Sequence, residues 1–104
     1  MTNSTIVYIP DLHCADLKTQ ATWEAMANWI VANKDLKNII AVLGIGDNVT
    51  VPTVSNLNQA KAGWDIIASA GIPYVVNLGN HDYDNEGIWP DPRNITAFNA
   101  VFPL

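Results

Sequence analysis

Two patterns of apolar residues alternate along this chain. Thr5-Ile6-Val7-Tyr8-Ile9, Asn38-Ile39-Ile40-Ala41-Val42-Leu43 and Ile72-Pro73-Tyr74-Val75-Val76-Asn77-Leu78 are continuous, β-branched or aromatic runs without period-two alternation. That is the pattern of strands covered on both faces. Pro10 stops the first run and Gly44 ends the second. Pro73 must sit at the very start of the third, because proline cannot donate within a central ladder. Between the runs the period changes. Thr19 to Ala32 predicts a helix on which Trp23, Met26, Ala27, Ile30 and Val31 form one stripe. Trp29 extends that stripe or packs at its border, and Asp16 or Thr19 caps the start. Asn48 to Asn58, with Pro52, reads as loop. A second helix follows over about Leu57 to Ala70, with Leu57, Ala60, Trp64, Ile67 and Ala68 inward and Gly71 at its end. Tyr83 to Pro92 reads as loop and Arg93 to Phe98 as a short helix.

The order β-α-β-α-β predicts an α/β fold with a parallel sheet and right-handed crossovers. At 104 residues, with 49% hydrophobic and 14% charged residues, the chain suits one domain with a real core. A net charge of −5, with five scattered basic residues, argues against a nucleic-acid surface. No apolar stretch is long enough to span a membrane, and no signal peptide is visible, which leaves the compartment open. Cys14 is alone and reads as a small buried thiol: in an extended segment it points away from the side His13 takes. Phe102-Pro103-Leu104 closes the chain on apolar residues and reads as a cut rather than a domain edge.

Three polar clusters follow directly on the three strand runs: Asp11-Leu12-His13, Gly46-Asp47-Asn48 and Gly79-Asn80-His81-Asp82. Residues just after the strands of an open α/β sheet converge at its carboxyl edge, where such folds place their sites. In an extended Asp-x-His, carboxylate and imidazole point to the same side, as chelation of one ion needs. Carboxylates, an imidazole and an amide suit a divalent metal. Each cluster is also good turn composition; their joint placement after all three strands favours a metal site. Gly44-Ile45-Gly46 lacks the remaining glycine of a dinucleotide loop, and no helix opens after it. This disfavours a small flavodoxin-like binding domain.

Asp-x-His, Gly-Asp and Gly-Asn-His-Asp, in this order and on these elements, resemble the calcineurin-like metallophosphoesterase superfamily. Ala70 to Tyr74 and Arg93 to Asn99 resemble a bacterial branch of it. The resemblance implies a phosphoester substrate and two divalent cations (Mn, Fe or Zn). It implies Asp11 and His13 on the first cation, Asp47 bridging both, and Asn80 on the second. It makes His81 the general acid or phosphate-contacting group and Asp82 the residue that orients it. It further implies a water activated between the cations for in-line attack on phosphorus.

The family carries further histidines downstream, whereas His13 and His81 are the only two here. Where many relatives have a second Asp after Gly-Asp, Thr50 or Val51 stands. The family fold is a two-sheet sandwich, and this chain supplies strands for about one sheet. The expectation is therefore an N-terminal half of a catalytic domain, weak or inactive alone, with an incomplete second metal site. Its uncovered sheet face should self-associate or meet a missing C-terminal half. The competing expectation is a non-catalytic interaction module with a vestigial metal half-site. Trp89 is a candidate for lining a pocket or for packing, and Arg93 for contacting phosphate or lying at a helix surface.

Overall fold

The three apolar runs form one parallel sheet in sequence order. A computed structural model describes residues 3–84 and 94–102. Its elements are β1 (Thr5–Ile9), α1 (Gln20–Ala32), β2 (Ile39–Gly44), α2 (Val54–Ser69), β3 (Tyr74–Val76), a 3-10 turn (Asn80–Asp82) and α3 (Thr96–Val101). This is the expected β-α-β-α-β order. Rows run straight across the sheet: Val7, Val42 and Tyr74; Tyr8, Leu43 and Val75; Ile9, Gly44 and Val76. β3 is shorter than the run Ile72 to Leu78 suggests. Pro73 stays outside it, and its carbonyl accepts from Val42 N–H at 3.0 Å.

Local chemistry sets the helix bounds. Thr19 caps α1, its hydroxyl accepting from Thr22 N–H at 3.1 Å. Thr53 caps α2 in the same way, accepting from Asn56 N–H at 3.1 Å. That cap starts α2 at Val54, three residues before the expected Leu57. α3 begins at Thr96 rather than Arg93, because the Asn94 side-chain oxygen captures both the N–H and the hydroxyl of Thr96.

The core lies between the helices and one face of the sheet. Trp23, Ala27 and Ile30 of α1 are buried there, with Leu57, Ala60, Gly63, Trp64 and Ile67 of α2. Trp23 donates its indole N–H to the Ala60 carbonyl at 2.7 Å and meets Trp64 edge-on at 5.2 Å. Trp64 stacks on Tyr74 at 5.4 Å and lies over Gly44, where a Cβ would come within 2.8 Å of its ring. Gly63 is needed for the same kind of reason: a Cβ there would strike the Trp23 indole.

Three expectations about burial are corrected. Among the described residues the strands are covered on one face only, because both crossovers place their helices on the face of Val7, Ile9, Val42 and Tyr74. On the other face Ile6, Tyr8 and Val75 are 44%, 59% and 50% exposed. Trp29 is exposed as well, with Lys37 Nζ 5.8 Å above its ring, and Ala68 faces outward. The buried stripe of α1 is narrow, and Trp29 falls beyond its border. Cys14 is buried as expected, which raises its thiol pKa. Among the described residues no helix is long and apolar enough to cross a membrane.

Candidate metal centre

β1, β2 and β3 end in one row, at Ile9, Gly44 and Val76. Backbone bonds carry that alignment one step further. Ile45 N–H donates to the Ile9 carbonyl and Asn77 N–H to the Gly44 carbonyl, both at 3.1 Å. The segment after β1 is then laid against the segment after β2. His13 N–H donates to the Asp47 carbonyl and Cys14 N–H to the Asn48 carbonyl, both at 2.9 Å. Leu12 and Cys14, each 1% exposed, anchor this segment in the core. Residues 12 and 14 turn inward, and Asp11 and His13 project together over the sheet edge from left-handed backbone rather than from the extended chain expected of Asp-x-His.

Asp11, His13 and Asp47 meet there. One ligand atom from each lies within 4.8 Å of the other two, so these residues can hold a metal ion. His13 Nε2 faces Asp47 Oδ2 at 3.7 Å. The donor set of two carboxylates and one imidazole fits a divalent cation. All three residues have left-handed backbones, with φ of 42° at Asp11, 44° at His13 and 52° at Asp47. Such conformations are unfavourable for residues with a Cβ and cluster at functional sites, where surrounding bonds hold them.

Glycines make room for this packing. Gly46 turns at φ 111°, and a Cβ on it would lie 2.9 Å from the Gly79 backbone. A Cβ on Gly79 would fall on the Asp47 carboxylate. Asp47 Oδ1 accepts from His81 N–H at 3.0 Å, which ties the segment after β3 to the cluster. The His81 ring stands edge-on to His13, with centroids 5.1 Å apart. Asn80 begins the 3-10 turn and is exposed. Among the described residues no hydrogen bond joins its side chain to Asp11, His13 or Asp47.

Asp82 holds the loops rather than His81. It is fully buried. Its Oδ1 accepts from Asn48 N–H at 2.9 Å and Val49 N–H at 3.3 Å. Its Oδ2 accepts from Gly79 N–H at 2.8 Å and the Asn48 amide at 3.0 Å. Burial raises its pKa above the ordinary carboxylate value, and these donors pull it back in part. The partner of His81 Nδ1 is instead the Thr50 carbonyl, at 3.0 Å.

Thr50 and Asn48 carry hydrogen-bonding roles that the motifs do not reveal. The Thr50 hydroxyl lies 2.8 Å from His13 Nδ1 and donates to Asp16 Oδ2 at 2.9 Å. Asn48 is buried and spans from Asp82 to the Asn77 carbonyl, at 3.0 Å from each. Turn composition hides such roles, since serine, threonine and asparagine are common after strands for local reasons. Trp89 and Arg93 lie outside the described residues. No protein-family model matches this chain, and no curated protein matches it.

Proposed function

We propose that this chain carries the metal half-site of a metal-dependent phosphoester hydrolase of the calcineurin-like kind. The observation that supports the reading most is the meeting of Asp11, His13 and Asp47 over the sheet edge, with His81 beside them. The order of the three polar clusters along the chain supports the same family.

In this reading Asp11, His13 and Asp47 would hold one divalent cation. A bound cation supplies Lewis-acid polarisation of a phosphoester and a nucleophile at neutral pH. Asp47 divides its labour: Oδ1 is held by His81 N–H, leaving Oδ2 on the His13 side for the cation. His81 is partly buried and projects its ring beside His13, where it can protonate a leaving oxygen. Asp82 acts one step back, fixing the loop that presents His81.

A second cation would draw on Asp47 and Asn80 alone among these residues. That short donor list supports an isolated chain with slow turnover, and it supports a second reading, a non-catalytic metal-binding module. The deciding experiment is metal content and Mn-dependent hydrolysis of an aryl phosphodiester, with Asp47→Ala as control. Metal bound and slow hydrolysis, both lost in the control, is the expected result. Metal bound without turnover would favour the second reading. A wild-type chain that binds no cation would overturn both.

A further inference from the structure

We propose that Thr50 is a positioning residue that sets the tautomer of both histidines, so that each presents a bare Nε2. The argument is a count of protons. A threonine hydroxyl has one proton to give. Thr50 gives it to Asp16 Oδ2, at 2.9 Å, and an ionised carboxylate has none to return. Thr50 Oγ1 therefore accepts at its other contact, His13 Nδ1 at 2.8 Å, and the proton of that bond sits on Nδ1. The Thr50 carbonyl can only accept, so His81 Nδ1, at 3.0 Å, also carries its proton. In a neutral imidazole one nitrogen is protonated and the other is not. Each ring, when neutral, then turns an unprotonated Nε2 to its surroundings, and the general-acid role of His81 requires that nitrogen to take up a proton first.

For His13 that nitrogen faces Asp47 Oδ2 at 3.7 Å, two lone-pair atoms with no proton between them. A shared cation would complete this pair in the neutral ring, as a proton on Nε2 would in the imidazolium, and to the extent that it invokes the cation the inference rests on the proposed metal reading. The tautomers themselves do not. Thr50 can serve both rings because Cys14 and Val49 bridge the segment after β1 to the segment after β2. Asp16 reaches back from the turn closed by its own N–H on the His13 carbonyl, at 3.3 Å. The chain Asp16–Thr50–His13 thus runs behind the cluster, as outer partners of a ligating histidine do.

Long-range 15N–1H spectra of the metal-free full chain, recorded at alkaline pH with labelled histidine, test this directly. Wild type should show Nδ1–H for both rings. Thr50→Val removes the hydroxyl but keeps the backbone carbonyl. His13 should then move toward the Nε2–H form while His81 stays unchanged, and Thr50→Ser should restore His13. Asp16→Ala, a surface change, should also loosen the His13 tautomer. Manganese affinity by calorimetry should fall about tenfold in Thr50→Val and return in Thr50→Ser. His13 protonated on Nε2 in wild type, or unmoved in both Thr50→Val and Asp16→Ala, would overturn the proposal. The expected tautomers with no manganese binding in wild type would instead sink the metal reading and leave the tautomer assignment standing.

Discussion

The backbone N–H of His81 donates to Asp47 Oδ1 at 3.0 Å, joining residues 34 apart in the chain. One carboxylate oxygen is thereby spent on holding the third loop, and the other is left to the cluster. Charge and hydrogen bonding at Asp47 can therefore be separated. Asp47→Asn keeps an acceptor for His81 and removes the charge. Its fold should survive, with cation affinity lowered at least tenfold. Calorimetry with manganese, alongside circular dichroism, checks both halves of that outcome; undiminished affinity would remove Asp47 from the ligand set.

Gly79 is the point where the loop after β3 touches the Asp47 carboxylate. Gly79→Ala places a methyl on that carboxylate, so the two loops must separate. The expected cost is about 2 kcal/mol or more in denaturant unfolding, with cation binding lost as well. A variant with wild-type stability and affinity would show that this approach is not needed.

Asp82 gives a pH dependence with a definite sign. Burial holds its folded pKa above the ordinary 3.8, and the N–H groups of Gly79, Asn48 and Val49 oppose that in part. An acid with a raised folded pKa holds its proton more tightly folded than unfolded. Its contribution is full below 3.8, is lost as pH rises through the folded value, and is flat above it. Asp82→Asn cannot titrate. The stability advantage of wild type over this variant should shrink as pH rises through that window. At neutral pH the variant should still be weaker by about 2–4 kcal/mol, because an amide replaces an acceptor among buried N–H donors. Urea unfolding of both proteins across pH measures the difference, and parallel curves would refute it.

The outer face of the sheet carries Ile6, Tyr8 and Val75 in the open. Tyr8 and Val75 flank Leu43 in one row, so the apolar surface is continuous across the three strands. Exposed surface of this kind favours association. Sedimentation should show concentration-dependent self-association of the wild-type chain. A Tyr8→Lys, Val75→Lys double variant should sediment as a monomer with cation affinity unchanged. A wild-type chain that is monomeric at every concentration would contradict this.

Much of the architecture is legible in the sequence. The apolar runs mark all three strands and the 3.6-residue period marks α1 and the body of α2, while Pro73, expected at the very start of the third strand, lies one residue before β3. Leu12 is buried and its two neighbours are not, as alternation in Asp11-Leu12-His13 suggests, but left-handed backbone at Asp11 and His13 produces this rather than an extended chain. These signals are local: each depends on residues within one turn of helix or a few residues of strand.

What the linear pattern could not decide was which polar atom meets which. Asp82 looked like a partner for His81, its neighbour. In the fold it serves Asn48, Val49 and Gly79, while His81 takes the carbonyl of Thr50. The uncovered sheet face belongs to the same class: a run without alternation looks the same whether or not anything covers its second side. Apolar periodicity by itself determined the elements, their order and the edge where the polar clusters gather. Tertiary structure decided the hydrogen-bond partners and the covered face, because those follow from loops brought together across more than 30 residues of chain, where no local spacing records the contact.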